Sequence, residues 1–272
     1  MILSNNDEFH FTIIQIQNMN LKIQYASDLH LEFAENKTFI KHNPLPPVGE
    51  ILILGGDIVP FAIMNKFDDF FTYLADSFAH TFWVPGNHEY YHFDLANKCG
   101  VLNEKIKCNI TIVNNVSINY QGVDLIFSTL WSQIGPINQW HIERNLNDFH
   151  RIKHNGFRFS TEQYNALHLE SVDFIKHAVK ESTAEKKVIF THHCPTLLNY
   201  PAQYKGNALN EAFASELHDF INSSSIAYWG YGHHHCNTPD FFIHNTQLIT
   251  NQLGYIHLGE NKFFNSGKYI TL

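Results

Sequence analysis

Residues 51–57 read ILILGGD, and residues 82–89 read FWVPGNHE. In each stretch a short apolar run stops at a glycine, and a polar or acidic residue follows. Short buried strands that end in glycine-containing loops are typical of α/β sheets, whose loops at one strand end carry the chemistry. These two stretches therefore predict strands of an α/β sheet with functional side chains at their carboxyl ends.

The rest of the chain continues this pattern. Residues 64–78 have apolar positions near a helical period and lack Pro and Gly, so we expect a crossover helix there. Residues 161–180 predict a second helix, capped by Ser160 or Thr161. Further expected elements are strands at 21–25, 187–191 and 226–229, hairpins at 116–129 and 241–250, and a helix near 209–222. Residues 130–159 have no clear period, and we expect them to form a lid or a substrate wall.

The composition limits the classes of function. The chain has 18 Lys and Arg against 26 Asp and Glu, and the net charge of -8 disfavours sequence-independent binding to nucleic acid. Its apolar runs fall short of the roughly 18 residues of a membrane span, and the first 20 residues carry no Lys or Arg to begin a secretion signal. The four cysteines form no C-x-x-C pair, so we expect reduced thiols and a cytoplasmic protein.

The chain shows no repeat, low-complexity tract or linker that would divide it. We expect residues 21–272 to form a single domain, since α/β domains often reach this length. Residues 1–20 are expected to be an N-terminal extension that is either not native or poorly ordered, with Met19 as an alternative start.

Five short polar clusters each follow a predicted strand. They are Asp28-Leu29-His30, Gly56-Asp57, Gly86-Asn87-His88-Glu89, Thr191-His192-His193 and Gly232-His233-His234-His235. A single cluster of this kind is usually a turn or a helix cap. Five of them at the same end of the strands of one α/β pattern would meet in one crevice, and core packing does not explain that recurrence.

The residue types in these clusters indicate a metal site. In D-x-H the two outer side chains point the same way on a strand, so Asp28 and His30 can hold one ion. The same alternation lets His233 and His235 project together, while His234 faces elsewhere. The set contains His, Asp and Asn but no thiolate, which suits Mn(II), Fe or Zn in an open site.

The order D-x-H, G-D, G-N-H-E, H, G-H-x-H resembles the calcineurin-like metallophosphoesterase superfamily, and the likeness runs from about Leu21 to the C-terminus. The stretches GNHEYY at 86–91, THHCP at 191–195 and residues 209–217 resemble a bacterial branch of small, mostly uncharacterised proteins. The resemblance implies a four-layer α/β sandwich, in which two mixed β-sheets are flanked by helices and two metal ions lie at the strand ends.

The resemblance also implies a role for each site residue. It places Asp28, His30 and His235 on one metal ion, Asn87, His192 and His233 on the other, and Asp57 between the two. His88 matches the family's non-ligand histidine, which contacts the phosphate and the leaving group.

At two positions the sequence leaves open which histidine binds metal. His234 stands where the family often has a small hydroxyl residue, so its imidazole could compete for metal. The doublet also leaves His193 as an alternative to His192, and we prefer His192 because it follows the apolar strand immediately after Thr191.

The charge of such a site favours a phosphoester substrate. Two divalent ions bring four positive charges, and Asp28 and Asp57 return two negative ones. The surplus can hold a metal-bridging hydroxide and a phosphoryl group. We expect that hydroxide to attack phosphorus in line, while His88 beside the acidic Glu89 protonates the leaving oxygen.

The predicted function is a dinuclear-metal-dependent phosphoesterase that hydrolyses phosphomonoester or phosphodiester bonds of a small molecule, with Mn²⁺, Fe²⁺/Fe³⁺ or Zn²⁺ as cofactors. One alternative is a nuclease acting on nucleic-acid ends, against which the net charge weighs. Another is a non-catalytic metal-binding scaffold, against which the filled ligand positions weigh. We expect no membrane association, and the sequence leaves the substrate, the native metal and the oligomeric state open. Substrate specificity is expected to depend on the aromatic stretch around Trp131, Trp140 and Phe149 and on the segment 199–210, which contains Tyr204 and Asn210.

Overall fold

The structure is a computed structural model, and it describes residues 21–272. The extension expected at 1–20, with Met19 as the alternative start, lies outside the described residues. None of the helices within 21–272 combines the length and the apolar character needed to cross a membrane.

Two six-stranded mixed sheets form the centre of the fold. The first has the spatial order β14-β1-β2-β3-β5-β4, and the second has the order β12-β13-β11-β10-β7-β6. The strands of the first sheet are β1 (Lys22–Ala26), β2 (Ile51–Leu54), β3 (His80–Trp83), β4 (Leu102–Lys107), β5 (Ile110–Asn114) and β14 (Tyr269–Thr271). Those of the second sheet are β6 (Val116–Tyr120), β7 (Val123–Ser128), β10 (Lys186–Thr191), β11 (Tyr228–Tyr231), β12 (Phe241–Ile243) and β13 (Thr246–Thr250).

Each sheet has a parallel centre and antiparallel edges. Strands β1, β2, β3 and β5 pair in parallel, and β14 and β4 pair antiparallel at the two edges. In the second sheet β7, β10, β11 and β13 are parallel, and β6 and β12 are the antiparallel edges. All the strands that precede the polar clusters are therefore parallel ones, whose carboxyl ends share one edge of their sheet.

Helices cover the outer faces of the sheets. They are α1 (Ala34–His42), α2 (Asp68–Ser77), α3 (Gln139–Asn145), α4 (Asp148–Arg151), α5 (Thr161–Glu181) and α6 (His218–Ser223). A two-stranded ribbon, β8 (Lys153–His154) with β9 (Phe157–Arg158), lies between α4 and α5 in the chain. Helix α5 begins at the capping box of Ser160 and Gln163, which satisfies two otherwise unpaired backbone N–H groups.

The alternation of side chains along the buried strands separates the layers. Ile51 and Ile53 of β2 face the core between the two sheets, which they share with residues such as Phe127 of the second sheet. Leu52 and Leu54 point the other way and pack in the cluster that contains the apolar residues of α2. A third cluster joins β10 and β11 to α5 and α6. These three cores separate four layers, so the predicted four-layer α/β sandwich is confirmed.

Most of the expected elements are present, with three differences. The helix expected at 64–78 begins as a 3-10 helix (Phe61–Phe67) and becomes α2 at Asp68. The strand expected at 226–229 is β11, which begins two residues later. The prediction of one continuous helix near 209–222 is wrong, because only its C-terminal part is α-helical, as α6. Its first part is a 3-10 helix (Ala208–Ala212), and the chain then extends to pair with Cys194 before α6 begins. Backbone hydrogen bonds of Cys194 with Phe213 and Ser215 replace the helical ones there.

Candidate metal centre

The five polar clusters lie directly after β1, β2, β3, β10 and β11, at the carboxyl ends of these strands. Two groups of His and Asp side chains meet there, and in each group one potential ligand atom per residue lies within 4.8 Å of the others. The convergence that the sequence predicts is therefore present in the structure. All seven of the residues predicted as ligands are buried or nearly so.

The first group contains Asp28, His30, Asp57 and His235. The Nε2 atoms of His30 and His235 are 2.9 Å apart. Nε2 of His235 is 3.5 Å from Oδ1 of Asp28, and Nε2 of His30 is 3.8 Å from Oδ2 of Asp57. Four donor atoms from three separate loops thus surround one point.

The second group contains Asp57, His192 and His233. Nε2 of His192 is 3.0 Å from Nδ1 of His233 and 3.4 Å from Oδ1 of Asp57. The side-chain oxygen of Asn87 lies 3.2 Å from the same Nε2 atom. Asp57 belongs to both groups and presents a different oxygen to each of them.

The backbone at these residues is unusual. Asp28, His30, Asp57, His233 and His235 have φ values of 55°, 46°, 55°, 78° and 53°. Non-glycine residues rarely adopt this left-handed region, and they do so mainly at functional sites that the surrounding fold enforces. The extended alternation that we used to pair Asp28 with His30 is therefore the wrong reason for their proximity, because both lie in a tight loop beyond β1.

Two glycines leave the space in which the groups meet. A Cβ atom on Gly86 would lie 2.7 Å from Nε2 of His192, and one on Gly56 would lie 2.7 Å from its Cγ atom. Gly56 also has a φ of 92°, which side chains disfavour. Both positions require glycine because the His192 ring occupies the volume that a side chain would take.

Three of the imidazole rings are held through Nδ1, so that Nε2 faces the centre. Nδ1 of His235 bonds to Glu260 at 2.8 Å, that of His30 to Glu32 at 3.3 Å, and that of His192 donates to the carbonyl oxygen of Gly55 at 3.0 Å. Such bonds fix the tautomer and the orientation of a metal-binding histidine. Sequence reasoning missed both carboxylates. Glu32 continues the spacing of Asp28 and His30, whereas Glu260 carries no signal in the sequence.

The amide of Asn87 is oriented by a residue from the segment 130–159. Its nitrogen donates to Asp148 at 2.8 Å, and the hydroxyl of Tyr91 donates to the same carboxylate oxygen at 2.8 Å. The Asn87 oxygen is thereby turned toward His192. Burial raises the pKa of Asp148, although these two hydrogen bonds oppose the shift.

The segment 130–159 reaches the site through residues other than its aromatic ones. Trp131 and Phe149 are buried in the core, and Trp140 is 68% exposed. None of these three rings lines the cavity over the two groups, which is instead bordered by Asn145, Leu146 and Asn147 of this segment. Tyr204 and Asn210, the other expected specificity residues, do line it.

His88 lies beside the two groups, with its ring held by Glu32. Nδ1 is 2.9 Å from the Glu32 carboxylate, and Nε2 is 3.4 Å from the hydroxyl of Tyr255. Burial lowers the pKa of His88, but the carboxylates of Asp57 and Glu32 outweigh it and raise the pKa above its usual value. The expectation that Glu89 is the acidic neighbour of this ring is wrong.

Glu89 instead accepts hydrogen bonds from the backbone of two loops. Its buried carboxylate accepts the backbone N–H groups of Asp57 at 2.8 Å, Ile58 at 2.6 Å and Gly86 at 2.5 Å, and the indole N–H of Trp83 at 3.2 Å. It therefore ties the loop after β2 to the loop after β3. Burial and the Asp57 carboxylate raise the pKa of Glu89 to about 7, even though the hydrogen bonds from the backbone lower it.

The neighbouring histidines point away from the groups. Nδ1 of His193 is 3.2 Å from the carbonyl oxygen of Thr129, and its Nε2 is 3.3 Å from the hydroxyl of Tyr164. Nδ1 of His234 accepts the backbone N–H of Cys236 at 3.1 Å. Burial lowers the pKa of His193 to about 3 and that of His234 to about 4. Neither residue belongs to a potential metal-binding group among residues 21–272.

The electrostatics of the centre favour positive charge. Burial disfavours protonation of His192 and His235, yet Asp57 raises the pKa of His192 to about 9 and the bonds to Asp28 and Glu260 raise the pKa of His235 to about 10. The Nε2 atoms of His30 and His235 face each other while both Nδ1 atoms are held by carboxylates. Imidazole nitrogens that converge on one point in this way fit a cation, as does Nδ1 of His233, which faces Nε2 of His192 at 3.0 Å.

The chain is similar to known proteins in sequence and in fold. Residues 21–237 match the protein family described as calcineurin-like phosphoesterase. The chain is 33% identical over 277 residues to the uncharacterized protein L509 of Acanthamoeba polyphaga mimivirus, with 92% of this chain and 96% of that protein covered. The structure is similar to the phosphopantetheinyl hydrolase PptH of Mycobacterium tuberculosis, with a TM-score of 0.65, 18% identity, and 93% and 96% of the two chains covered.

The doublet at 192–193 gives a direct test of the second group. We expect His192→Gln to lower both the metal content and the activity, because only this ring faces Asp57 and Asn87. His193→Gln should keep the metal content close to that of the parent. Elemental analysis of the folded variants after dialysis measures the difference, and the reverse result would place the ligand one residue later.

The role of Glu89 can be tested through stability. Glu89→Gln puts an NH₂ group opposite backbone N–H donors, and burying such a mismatch costs about 1–3 kcal/mol. We expect the free energy of unfolding, measured in urea on the metal-free protein, to fall by about this amount. Glu185→Gln, at an exposed position before β10, is the matched control and should be near neutral. Equal losses in the two variants would contradict the assigned role.

Proposed function

The chain belongs to the calcineurin-like phosphoesterase family and is a metal-dependent hydrolase of phosphoric esters, and we propose that it acts through two metal ions on small phosphomonoesters or phosphodiesters. The observation that carries the proposal is the shared Asp57 carboxylate, whose two oxygens face two separate groups of donor atoms. In this proposal Asp28, His30 and His235 hold one ion, Asn87, His192 and His233 hold the other, and Asp57 contacts both.

The donor set suits transition metals that accept mixed nitrogen and oxygen ligands, such as Mn²⁺, Fe²⁺/Fe³⁺ or Zn²⁺. When bound, two such ions supply the positive charge that holds phosphoryl oxygens and lowers the pKa of water toward neutrality. The two groups that share Asp57 contain two carboxylates, Asp28 and Asp57. Their two negative charges are fewer than the four positive charges of two divalent ions, so the loaded centre can hold an anionic substrate.

Asn87 and His88 are positioned to act on the substrate itself. The Asn87 amide is fixed by Asp148 and borders the cavity, where it can steady a phosphoryl oxygen. His88 also borders the cavity, and its backbone N–H donates to Oδ1 of Asp57 at 2.9 Å. This bond ties the backbone of His88 to the carboxylate that the proposal places between the two ions.

We propose that His88 donates the proton to the leaving oxygen. Its Nδ1–H is engaged by Glu32, so Nε2 is the atom that faces the cavity side and the Tyr255 hydroxyl. Glu32 acts as a positioning residue, since its carboxylate holds the rings of His88 and His30 through their Nδ1 atoms. General-acid help of this kind contributes roughly 10² to 10⁴ in rate.

The size and lining of the cavity support a small substrate. Its volume is about 300 Å³, at the lower end for ligand pockets. Its walls carry asparagine and tyrosine side chains and no Lys or Arg. A nucleic-acid backbone needs several cationic contacts, so the lining does not support the nuclease alternative.

The bridging role of Asp57 has a clear test. Asp57→Asn removes a negative charge from both groups, and we expect near-complete loss of activity together with loss of metal from the purified protein. His234→Ala, which alters a buried imidazole turned away from the groups, should retain its metal. Elemental analysis and phosphatase assays with added Mn²⁺ measure both effects. Unchanged metal content and activity in Asp57→Asn would refute the bridge.

The proton donation by His88 is tested through the leaving group. His88→Asn keeps a donor near Glu32 but removes the proton source, so we expect an alkyl phosphoester to slow by roughly 10² to 10⁴. A nitrophenyl ester, whose leaving oxygen is a weak base, should slow far less. The measurement is kcat/KM for both substrates at saturating metal, with metal content as the control. A similar loss for both substrates would mean that His88 only positions the phosphate.

A further inference from the structure

A second cavity lies on the other side of His88. Its volume is about 290 Å³, close to that of the cavity over the metal-binding groups. The two cavities share four lining residues, His88, Tyr91, Asn147 and Tyr255. They are therefore neighbouring spaces that meet at the residue proposed to touch the leaving oxygen.

We infer that the substrate is a phosphodiester whose two substituents occupy the two cavities, with the phosphate at their junction. This inference rests on the proposed function and narrows it. A phosphomonoester has one substituent and would leave one of the two spaces unused. A diester has two, and each space suits one small substituent.

The linings of the two cavities indicate different substituents. The first cavity has the amides of Asn145, Asn207 and Asn210 and the hydroxyls of Tyr200 and Tyr204. These neutral groups can donate and accept hydrogen bonds, and tyrosine rings offer apolar faces. The first cavity thus fits a neutral polar or aromatic group.

The second cavity is more apolar, and charged side chains of both signs border it. Phe33, Pro60, Ala62 and Ile63 form its apolar wall, and Glu32, His92 and Arg151 also line it. The guanidinium of Arg151 sits 5.7 Å from the centre of the Tyr91 ring, and within residues 21–272 no carboxylate forms an ion pair with it. This cavity fits an apolar alcohol that carries a hydrogen-bond acceptor for the Arg151 guanidinium.

In this proposal the phosphate lies at the junction of the two cavities, beside their shared lining residues. The His88 and Tyr91 rings lie 4.1 Å apart at an angle of 30° and form a common wall. Asn147 is exposed and lines both cavities, so it lies at the border between them. Hydrolysis then forms one P–O bond from water and breaks one P–O bond to the departing alcohol. That alcohol takes up a proton, and the other substituent stays on the phosphate as a monoester.

Two tryptophan substitutions test the use of each cavity. Ala62→Trp fills part of the second cavity and Asn145→Trp part of the first, and both positions are exposed, so the fold should tolerate them. Thr183→Trp, at an exposed position before β10 and so at the opposite end of that strand from His192, is the matched control. None of these residues belongs to the metal-binding groups.

The kinetic readout compares bis(4-nitrophenyl) phosphate with 4-nitrophenyl phosphate, which share one leaving group. We expect the metal-loaded parent to prefer the diester. Each of Ala62→Trp and Asn145→Trp should lower kcat/KM for the diester by about tenfold or more, since a misplaced reacting group costs up to about 10² in rate. The monoester should respond to only one of them, and Thr183→Trp should affect neither substrate.

A binding readout separates substrate fit from catalysis. Diphenylphosphinate carries two phenyl groups on a phosphorus that cannot be hydrolysed, and phenylphosphonate carries one. Calorimetric Kd values for diphenylphosphinate should rise in both tryptophan variants, and those for phenylphosphonate in only one. Preference for the monoester, or a diester response to only one variant, would overturn the inference while leaving the proposed function intact. A metal-loaded parent that hydrolyses neither ester would overturn both.

Discussion

The buried carboxylate of Asp57 is the point on which the site depends. It is 1% exposed, its two oxygens face different histidines, and one of them also accepts the backbone N–H of His88. Burying a charge is costly unless it is paired and hydrogen-bonded. The loops after the surrounding strands supply this carboxylate with two imidazoles and a backbone donor.

The surrounding structure holds these groups in place against their local preferences. Five of the proposed ligands adopt left-handed backbone conformations, each of which costs on the order of 1–3 kcal/mol. Packing elsewhere offsets this cost, because three apolar cores fix both sheets and their covering helices. Glu89 adds a local restraint, since its carboxylate joins the loops after β2 and β3. The loops that form the site are thus bound to each other as well as to the sheets.

The sequence predicts the main strands and the proximity of the proposed ligands, because buried runs such as 51–54 are short, apolar and bounded by glycine. Sequence reasoning fails where two partners lie far apart in the chain. Glu32, Asp148 and Glu260 orient proposed ligands through contacts that no local spacing reveals, apart from the position of Glu32 near His30. Strands β4, β5 and β14 were not predicted. The helix expected near 209–222 was replaced in part by pairing with Cys194, since long-range hydrogen bonds outweigh helical preference.

The distance along the chain between the two halves of the centre has a consequence for folding during synthesis. His30 and His235, whose Nε2 atoms nearly touch, are 205 positions apart. Domains with such distant contacts fold slowly, because the chain loses the entropy of loop closure before the stabilising contacts form. A ribosome has to release β11 and the loop after it before His235 can join Asp28, His30 and Asp57. Until then a nascent chain can present a nearly complete first sheet while the first group of donor atoms still lacks one member.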